Sequence, residues 1–139
     1  MTTKNLSPEL LRVVDANTNR LKEAIRVVED IARYYLDSRS LSLHLKELRH
    51  RVNMDEIQGL LDARDSINDV LKTSTDSEMQ RDDLLSIITA NFKRAQESSR
   101  VLEEIGKLIS RKTSANFKEI RYMLYALEKE LTNSTSNSK

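Results

Sequence analysis

The sequence predicts an all-α protein, a four-helix bundle of two duplicated helical hairpins related by a pseudo-two-fold axis. Three observations support this fold class. The 139 residues contain only two glycines and one proline, too few for the turn-rich β folds. Apolar residues recur at the spacing of a helix face. The first half of the chain is also repeated in the second half. We therefore expect helices throughout.

Composition excludes several functional classes. The 23 basic and 22 acidic residues leave a net charge of +1, so we expect neither a nucleic-acid nor a membrane partner. The absence of cysteine excludes disulfides, iron–sulfur clusters and thiolate zinc sites. The scarcity of glycine excludes the common glycine-rich phosphate loops. No apolar run approaches ~18 residues, so we expect a cytoplasmic protein.

The first helix, helix A, is predicted over 8–37. Ser7 can cap its first turn, and Pro8 suits the first helical position because its missing N–H would have no partner there. The apolar positions that follow are spaced alternately by four and three residues, which is typical of a seam against a partner helix. These positions are Leu10, Val14, Leu21, Ala24, Val28, Ile31 and Tyr35.

Helix B is predicted over 41–61, with Ser40 or Ser42 as its cap and Gly59 weakening its last turn. Residues 63–74 lack a helical period and are predicted to form a loop.

Helix C is predicted over 76–110, because residues 75–78 have the pattern of a capping box. Ser114 is the expected cap of helix D, over 115–132, and residues 133–139 are predicted to be a disordered polar tail.

An internal repeat organises the chain into one helical domain, residues 1–132. Ala16–Arg33 matches Ala90–Lys107 with eight identities at an offset of 74 residues, and Leu45–His50 matches Phe117–Tyr122 at an offset of 72. The repeats are therefore 8–61 and 76–132. Duplicated apolar faces bury well against each other, which is why we expect the pseudo-two-fold axis.

The repeated polar residues form two ladders whose members are three residues apart. They are Asn17, Arg20, Glu23, Arg26 and Glu29, and then Asn91, Arg94, Glu97, Arg100 and Glu103. One interpretation is a set of intrahelical ion pairs, which would stabilise each helix slightly. The other is a binding site. On a helical wheel Asn17 lies at the centre of the apolar face, Arg20 at its edge, and Arg26 and Glu29 outside it.

The second interpretation predicts a phosphate or carboxylate site. Arg20 and Arg94 would converge across the pseudo-two-fold axis, where their planar guanidinium groups suit such anions. The candidate phosphate- or substrate-binding residues are Asn17, Arg20, Arg49, Arg64, Asn91, Arg94 and Arg121. The candidate Mg²⁺ ligands are the acids Glu23, Asp30, Glu97 and Glu104. No residue is assigned a catalytic role.

Other polar and aromatic residues leave two interpretations open. Asp65 and Asp69, in the predicted loop, either cap helices or line the mouth of the site. Tyr122 and Tyr125 either pack in the core or stack on a flat ring. His50 is expected at a packing position, because Tyr122 occupies the equivalent place in the second half.

The chain resembles an all-helical domain found at the N-terminus of some thiamine-phosphate synthases and sometimes alone. The resemblance covers nearly the whole chain, from Val13 to Leu131. The matching stretches are Asp15–Arg33, Leu45–His50, Arg64–Asp65 with Asp69–Val70, Glu78–Arg81, Ala90–Glu104 and Arg121–Lys129. This domain is described as an alternative hydroxymethylpyrimidine-phosphate kinase, unrelated to the ribokinase-like enzyme.

The resemblance implies a role in thiamine biosynthesis, a phosphorylated pyrimidine or nucleotide as ligand, ATP with Mg²⁺, and thiamine-phosphate synthase as a partner. A small-molecule phosphotransferase activity is the first hypothesis. A non-catalytic dimerisation or adaptor module is the second. An all-α nucleoside-triphosphate pyrophosphohydrolase is the third and ranks last. Such an enzyme would need an ExxE pattern, whereas the repeated acids here are six residues apart.

Helix lengths lead to an expected homodimer. Helices A and C would be about 45 Å long and B and D about 30 Å, at about 1.5 Å per residue. The overhanging ends carry apolar residues that would not remain exposed to water, so they cover each other or a second chain. These residues are Leu10, Leu11, Val14, Leu84, Leu85 and Ile88.

Overall fold

The computed structural model describes residues 6–54, 57–73 and 83–137. The elements are α1 (Pro8–Asp30), a π-helical turn (Ile31–Tyr35), α2 (Arg39–His50), α3 (Leu60–Ala63), α4 (Leu84–Gly106) and α5 (Arg111–Asn137). The described part of the chain contains helices and no strands, which confirms the predicted all-α class.

The N-terminal helix begins as predicted. The Ser7 hydroxyl accepts a hydrogen bond from the Leu10 amide at 3.2 Å, and Pro8 occupies the first helical position. After Asp30 the helix widens into the π-helical turn and ends. The chain then reverses through Asp37, whose φ is +52°.

Helix α2 is shorter than predicted. It begins at Arg39 because Ser38, rather than Ser40 or Ser42, accepts the capping hydrogen bond from the Leu41 amide at 3.2 Å. It ends at His50 rather than at residue 61.

The apolar residues that suggested a longer helix are buried without being helical. Val52, Met54 and Ile57 are buried outside α2. Gly59, with a φ of +88°, precedes the short helix α3 instead of ending helix B. Apolar periodicity alone therefore overestimated the length of this helix.

The second half begins with α4. Asp83 caps this helix by accepting a hydrogen bond from the Ser86 amide at 2.7 Å. The expected capping box at 75–78 and the predicted helical start at residue 76 lie outside the described residues. The predicted helix over 76–110 is wrong in its bounds, because the backbone of Asp83 is extended and the helix ends at Gly106.

The predictions for the bounds of α5 were wrong at both ends. Ser110, not Ser114, accepts the capping hydrogen bond, from the Thr113 amide at 3.0 Å. The helix continues to Asn137, where we predicted disorder from residue 133. Thr135 is buried and its hydroxyl donates to the Leu131 carbonyl at 2.9 Å, so the polar C-terminal segment still packs.

The helices pack as two hairpins. Helix α1 contacts α2, α3 and α4, and α4 also packs along α5. The largest fully buried side chains come from both halves and include Leu21, Leu45, Phe92 and Phe117. The pseudo-two-fold relation between the hairpins stays a prediction.

The apolar residues behind the dimer argument are mostly covered within the chain. Val14 and Ile88 are fully buried. Leu11 packs near α3, since a Cβ on Gly59 would lie 3.3 Å from its Cδ1 atom. Helix α5 is also 27 residues long, so helix D is not short as predicted. The homodimer stays a prediction, without the support of a large uncovered overhang.

None of the helices in the described ranges is both long and apolar enough to cross a lipid bilayer.

Gly59 should be required for the packing of α3 on α1. Gly59→Ala places a Cβ in a left-handed conformation and close to Leu11. We expect urea denaturation to show a loss of about 1–2 kcal/mol. Gly59→Asn is the matched variant, because asparagine adopts this conformation more readily. Equal losses for the two variants would contradict the conformational explanation.

Candidate functional site

A buried ion pair joins α1 to α2. The Arg49 guanidinium donates to the Glu29 carboxylate through Nε at 2.6 Å and Nη2 at 3.2 Å. The Glu29 side chain is 5% exposed and the Arg49 side chain 20%. The hydrogen bond from Arg49 to Glu29 raises the pKa of Arg49. The guanidinium is therefore held by the protein itself.

A second ion pair of the same kind joins α4 to α5. Arg121 donates from Nε to a Glu103 carboxylate oxygen at 3.1 Å, and from Nη1 to the Tyr125 hydroxyl at 3.5 Å. Hydrogen bonds to Tyr125 and then to Glu103 raise the pKa of Arg121. These residues occupy the positions that the internal repeat equates with Glu29 and Arg49.

The predicted position of the ladder around the first helix was wrong. The buried stripe of α1 centres on Leu21 and Ile25, so Asn17 lies at one edge and Glu29 at the other, each about 60° from the centre. Glu29, predicted to lie outside, is buried because α1 packs against both α2 and α4.

Arg64 fixes the loop after α3 onto α1. Its guanidinium donates to both Asp15 carboxylate oxygens, at 2.7 and 2.8 Å. The Asp15 side chain is 8% exposed. Hydrogen bonding to Asp15 raises the pKa of Arg64. The guanidinium of Arg64, a candidate ligand-binding residue, is thus paired with Asp15 of the same chain.

The loop residue Asp65 caps a turn and also lines a cleft beside α1. It accepts hydrogen bonds from the Asn68 amide at 3.1 Å and from the Asn68 side chain at 2.8 Å. These bonds lower the pKa of Asp65. Because the folded-state pKa is depressed, their stabilising effect is present above the ordinary aspartate pKa and is lost as the pH falls through the lowered value.

Two of the predicted arginines lie in one cleft between α1 and α4. This α1–α4 cleft has a volume of about 440 Å³ and is lined by Asn17, Arg20, Ala90, Lys93, Arg94, Glu97, Ser98 and Val101. Arg20 and Arg94 share it, as predicted. Asn91 is not among its lining residues, and its side-chain amide donates to the Ile87 carbonyl at 2.8 Å.

Arg20 and Arg94 differ from the anchored arginines because they have no ion-pair or hydrogen-bond partner among the described residues. The expected pairs with Glu23 and Glu97 do not form. Lys93, beside Arg94, is likewise without an acidic partner in residues 6–54, 57–73 and 83–137. The cleft therefore holds three cations whose charge is not neutralised by a contact.

The ladder interpretation holds only for part of the second repeat. Arg100 contacts Glu103 at 3.3 Å and Glu104 at 3.0 Å. In the first repeat Arg26 contacts Asp30 at 3.6 Å rather than the ladder glutamates. Intrahelical pairing therefore accounts for the outer arginines and not for Arg20 and Arg94.

A neighbouring cleft of about 600 Å³ lies beside the loop and is lined by Asn17, Arg20 and Glu23. Arg64, Asp65 and other loop residues form its far wall. Asn17 is 6% exposed, and its amide donates to the Val13 carbonyl at 2.9 Å. The two clefts meet at Arg20, so this arginine faces solvent from two sides.

The four candidate metal ligands are not brought together. No group of three or more acid or histidine side chains suited to a metal ion occurs in the described part of the chain. Asp30 and Glu104 contact basic side chains, and the hydrogen bond from Lys107 lowers the pKa of Glu104. Glu23 and Glu97 line the two clefts. Each contributes a single carboxylate to its own cleft, which suffices only for a Mg²⁺ ion held mainly by phosphates and water.

Sequence reasoning missed a further cleft, between α4 and α5. It has a volume of about 680 Å³ and is lined by Thr89, Lys93, Gln96, Glu97, Arg100, Arg121, Tyr125 and Glu128. Lys93 and Glu97 also line the α1–α4 cleft, so they separate two neighbouring depressions. We call the depression between α4 and α5 the α4–α5 cleft.

The tyrosines of α5, unlike its buried Phe117, are exposed rather than part of the core. Tyr122 is 56% exposed and Tyr125 44%. Their rings meet edge to face at 6.0 Å, and the Arg121 guanidinium lies 4.9 Å from the centre of the Tyr122 ring. Arg121 is held by its ion pair with Glu103 and packs against both tyrosine rings. His50 is also exposed, so its predicted packing role was wrong.

Comparison with known proteins gives one consistent family. The sequence model of the ThiD2 family matches residues 12–130. Similar proteins include thiamine-phosphate synthases of Synechocystis sp. (40% identical), Rhodopirellula baltica (39%) and Thermosynechococcus vestitus (37%). These alignments cover 90%, 90% and 93% of this chain but only 37%, 35% and 38% of the respective relatives. No solved structure matches the chain.

The Glu29–Arg49 pair should be required for folding. Glu29→Gln removes the anion and leaves a largely buried guanidinium without its charge partner. We expect a loss of about 3 kcal/mol in the free energy of unfolding, measured by urea denaturation.

Glu104→Gln is the control, because Glu104 forms exposed ion pairs that contribute little to stability. If the two variants unfolded at the same urea concentration, the burial of the pair would have no energetic consequence.

Proposed function

Because the chain belongs to the ThiD2 family, we propose that it acts in thiamine biosynthesis, where it binds a phosphorylated pyrimidine and phosphorylates it with ATP and Mg²⁺. The similarity to thiamine-phosphate synthases supports the pathway. The α1–α4 cleft supports the binding of a phosphate. The phosphorylation reaction itself is inferred from the resemblance to the helical domain described as a hydroxymethylpyrimidine-phosphate kinase.

The observation behind the proposal is the pair Arg20 and Arg94. The anchored arginines at 49, 64 and 121 each contact a carboxylate, whereas these two line a cleft with no acidic partner among the described residues. Guanidinium groups bind phosphate oxygens in a bidentate manner. Lys93 would add a third positive charge against the same ligand.

The geometry suits phosphoryl transfer to an existing phosphate. Such transfer depends mainly on positioning and on neutralising the phosphate charge. The acceptor would be a phosphate oxygen, which is already anionic, so no general base is required. Arg20, Arg94 and Lys93 would hold the acceptor and reduce its repulsion from the donor. Glu97, which lines the α1–α4 cleft, would hold Mg²⁺ together with phosphate oxygens and water, and the ion would neutralise the phosphates of ATP.

An adaptor function is the second candidate, favoured by one surface. Four apolar side chains on α3 and the following loop are 71–93% exposed: Leu61, Ile67, Val70 and Leu71. Exposed apolar patches mark protein contacts. The chain is similar to thiamine-phosphate synthases, so such a synthase would be the partner, or a second copy of this chain in a homodimer. A monomer in light scattering, with and without added synthase, would contradict this candidate.

The phosphate site is tested by calorimetric titration with hydroxymethylpyrimidine phosphate. Arg20→Lys and Arg94→Lys keep the charge but lose the planar fork. We expect each to weaken binding at least tenfold, or about 1.4 kcal/mol, with an unchanged melting temperature. Arg26→Lys is the matched control, because Arg26 is an exposed arginine of α1 with its own partner, Asp30. Unchanged binding in both cleft variants would contradict the proposed site.

Catalysis needs a separate measurement. Phosphorus NMR of a mixture of hydroxymethylpyrimidine phosphate, ATP and Mg²⁺ should show a pyrimidine diphosphate and ADP. We expect Glu97→Gln to slow this conversion more than Glu104→Gln. Binding without any conversion would contradict the kinase and leave a binding module.

A further inference from the structure

The α4–α5 cleft is not explained by a phosphate site alone. It lies on the other side of Lys93 and Glu97 from the α1–α4 cleft. Its two arginines already have carboxylate partners: Arg100 contacts Glu103 and Glu104, and Arg121 contacts Glu103. Their charge is therefore largely neutralised. This depression suits an uncharged group better than a second phosphate.

One wall of the cleft is an amide paired with a carboxylate. Gln96 Nε2 donates to Glu128 Oε1 at 2.7 Å across the two helices. Within the described residues neither side chain makes another hydrogen bond. One Gln96 N–H, the Gln96 carbonyl oxygen and the second Glu128 oxygen therefore remain available. A donor beside an acceptor matches a ring nitrogen that is adjacent to an exocyclic amine.

The aromatic wall supplies a flat surface. The Tyr125 hydroxyl accepts a hydrogen bond from Arg121, and the ring rests edge to face on Tyr122. Because Arg121 is tied to buried Glu103, these contacts fix the ring of Tyr125 while 44% of the residue stays exposed. An aromatic heterocycle can pack against this ring at little cost in side-chain entropy.

We propose that the α4–α5 cleft is the ring subsite for an aminopyrimidine phosphate, in which Gln96 donates to a ring nitrogen, Glu128 accepts from the exocyclic amine and Tyr125 packs on the ring. The phosphate of the same ligand lies across Lys93, toward Arg20 and Arg94. This inference rests on the proposed function, because it assigns the other end of that ligand.

The proposed ring subsite can exist only in the second half of the duplicated chain. The repeat offsets equate Gln96 with Lys22 and Tyr125 with Asn53. The first half therefore lacks both the amide and the aromatic ring. One pyrimidine should bind per chain.

The test compares two ligands by calorimetry: hydroxymethylpyrimidine phosphate, which carries the ring amine, and an analogue in which a carbonyl oxygen replaces the amine. The native protein should prefer the amine at least tenfold. In Glu128→Gln and in Gln96→Met this preference should fall below threefold. Glu130→Gln, an exposed acid on the same helix, should keep it, and all variants should melt at the native temperature.

Orthophosphate competition separates this inference from the proposed function. The inhibition constant of orthophosphate, corrected for the affinity of the ligand, should be the same in the native protein and in Glu128→Gln, because orthophosphate contacts only the α1–α4 cleft. If Glu128→Gln and Gln96→Met keep the full preference for the amine while Arg20→Lys still weakens binding, the ring subsite is wrong and the phosphate site stands. If the native protein binds neither ligand, both assignments are wrong.

Discussion

The structure depends on two buried glutamate–arginine pairs, one in each hairpin. Glu29 with Arg49 and Glu103 with Arg121 join long helices to their neighbours at equivalent positions of the repeat. A buried charge is costly unless its partner is held in good geometry. Each pair therefore restricts how its two helices can be placed. Arg121 of the second pair also lines the α4–α5 cleft.

The same pairs divide the arginines into two groups. Those at 49, 64 and 121 each contact a carboxylate and hold the fold together. Arg20 and Arg94 line the α1–α4 cleft with no acidic partner in the described ranges. In a partly enclosed cleft such charges attract an anion more strongly than they would in open solvent. Structural pairing of some arginines thus leaves others for a ligand.

The sequence was sufficient for the all-α class and for the start of the first helix with its Ser7 cap, and it singled out Arg20 and Arg94, which line one cleft. It failed where tertiary packing overrides periodicity. Val52, Met54 and Ile57 are buried without continuing α2. The burial of Glu29 could not be read from one helix, because it depends on α1 having neighbours on two sides. The α4–α5 cleft needs Gln96 and Glu128, which are distant in the sequence, and the repeat does not preserve Gln96 because Lys22 takes its place in the first half.

The most direct test of the account is NMR observation of the arginine Nε–Hε signals during titration with hydroxymethylpyrimidine phosphate. Arg20 and Arg94 should shift and sharpen as they bind the phosphate, while Arg49, held by Glu29 at 2.6 Å, should stay in place. Saturation of the protein with no change at Arg20 and Arg94 would contradict the account. A shift at Arg49 with the same two signals unmoved would contradict the division of the arginines as well.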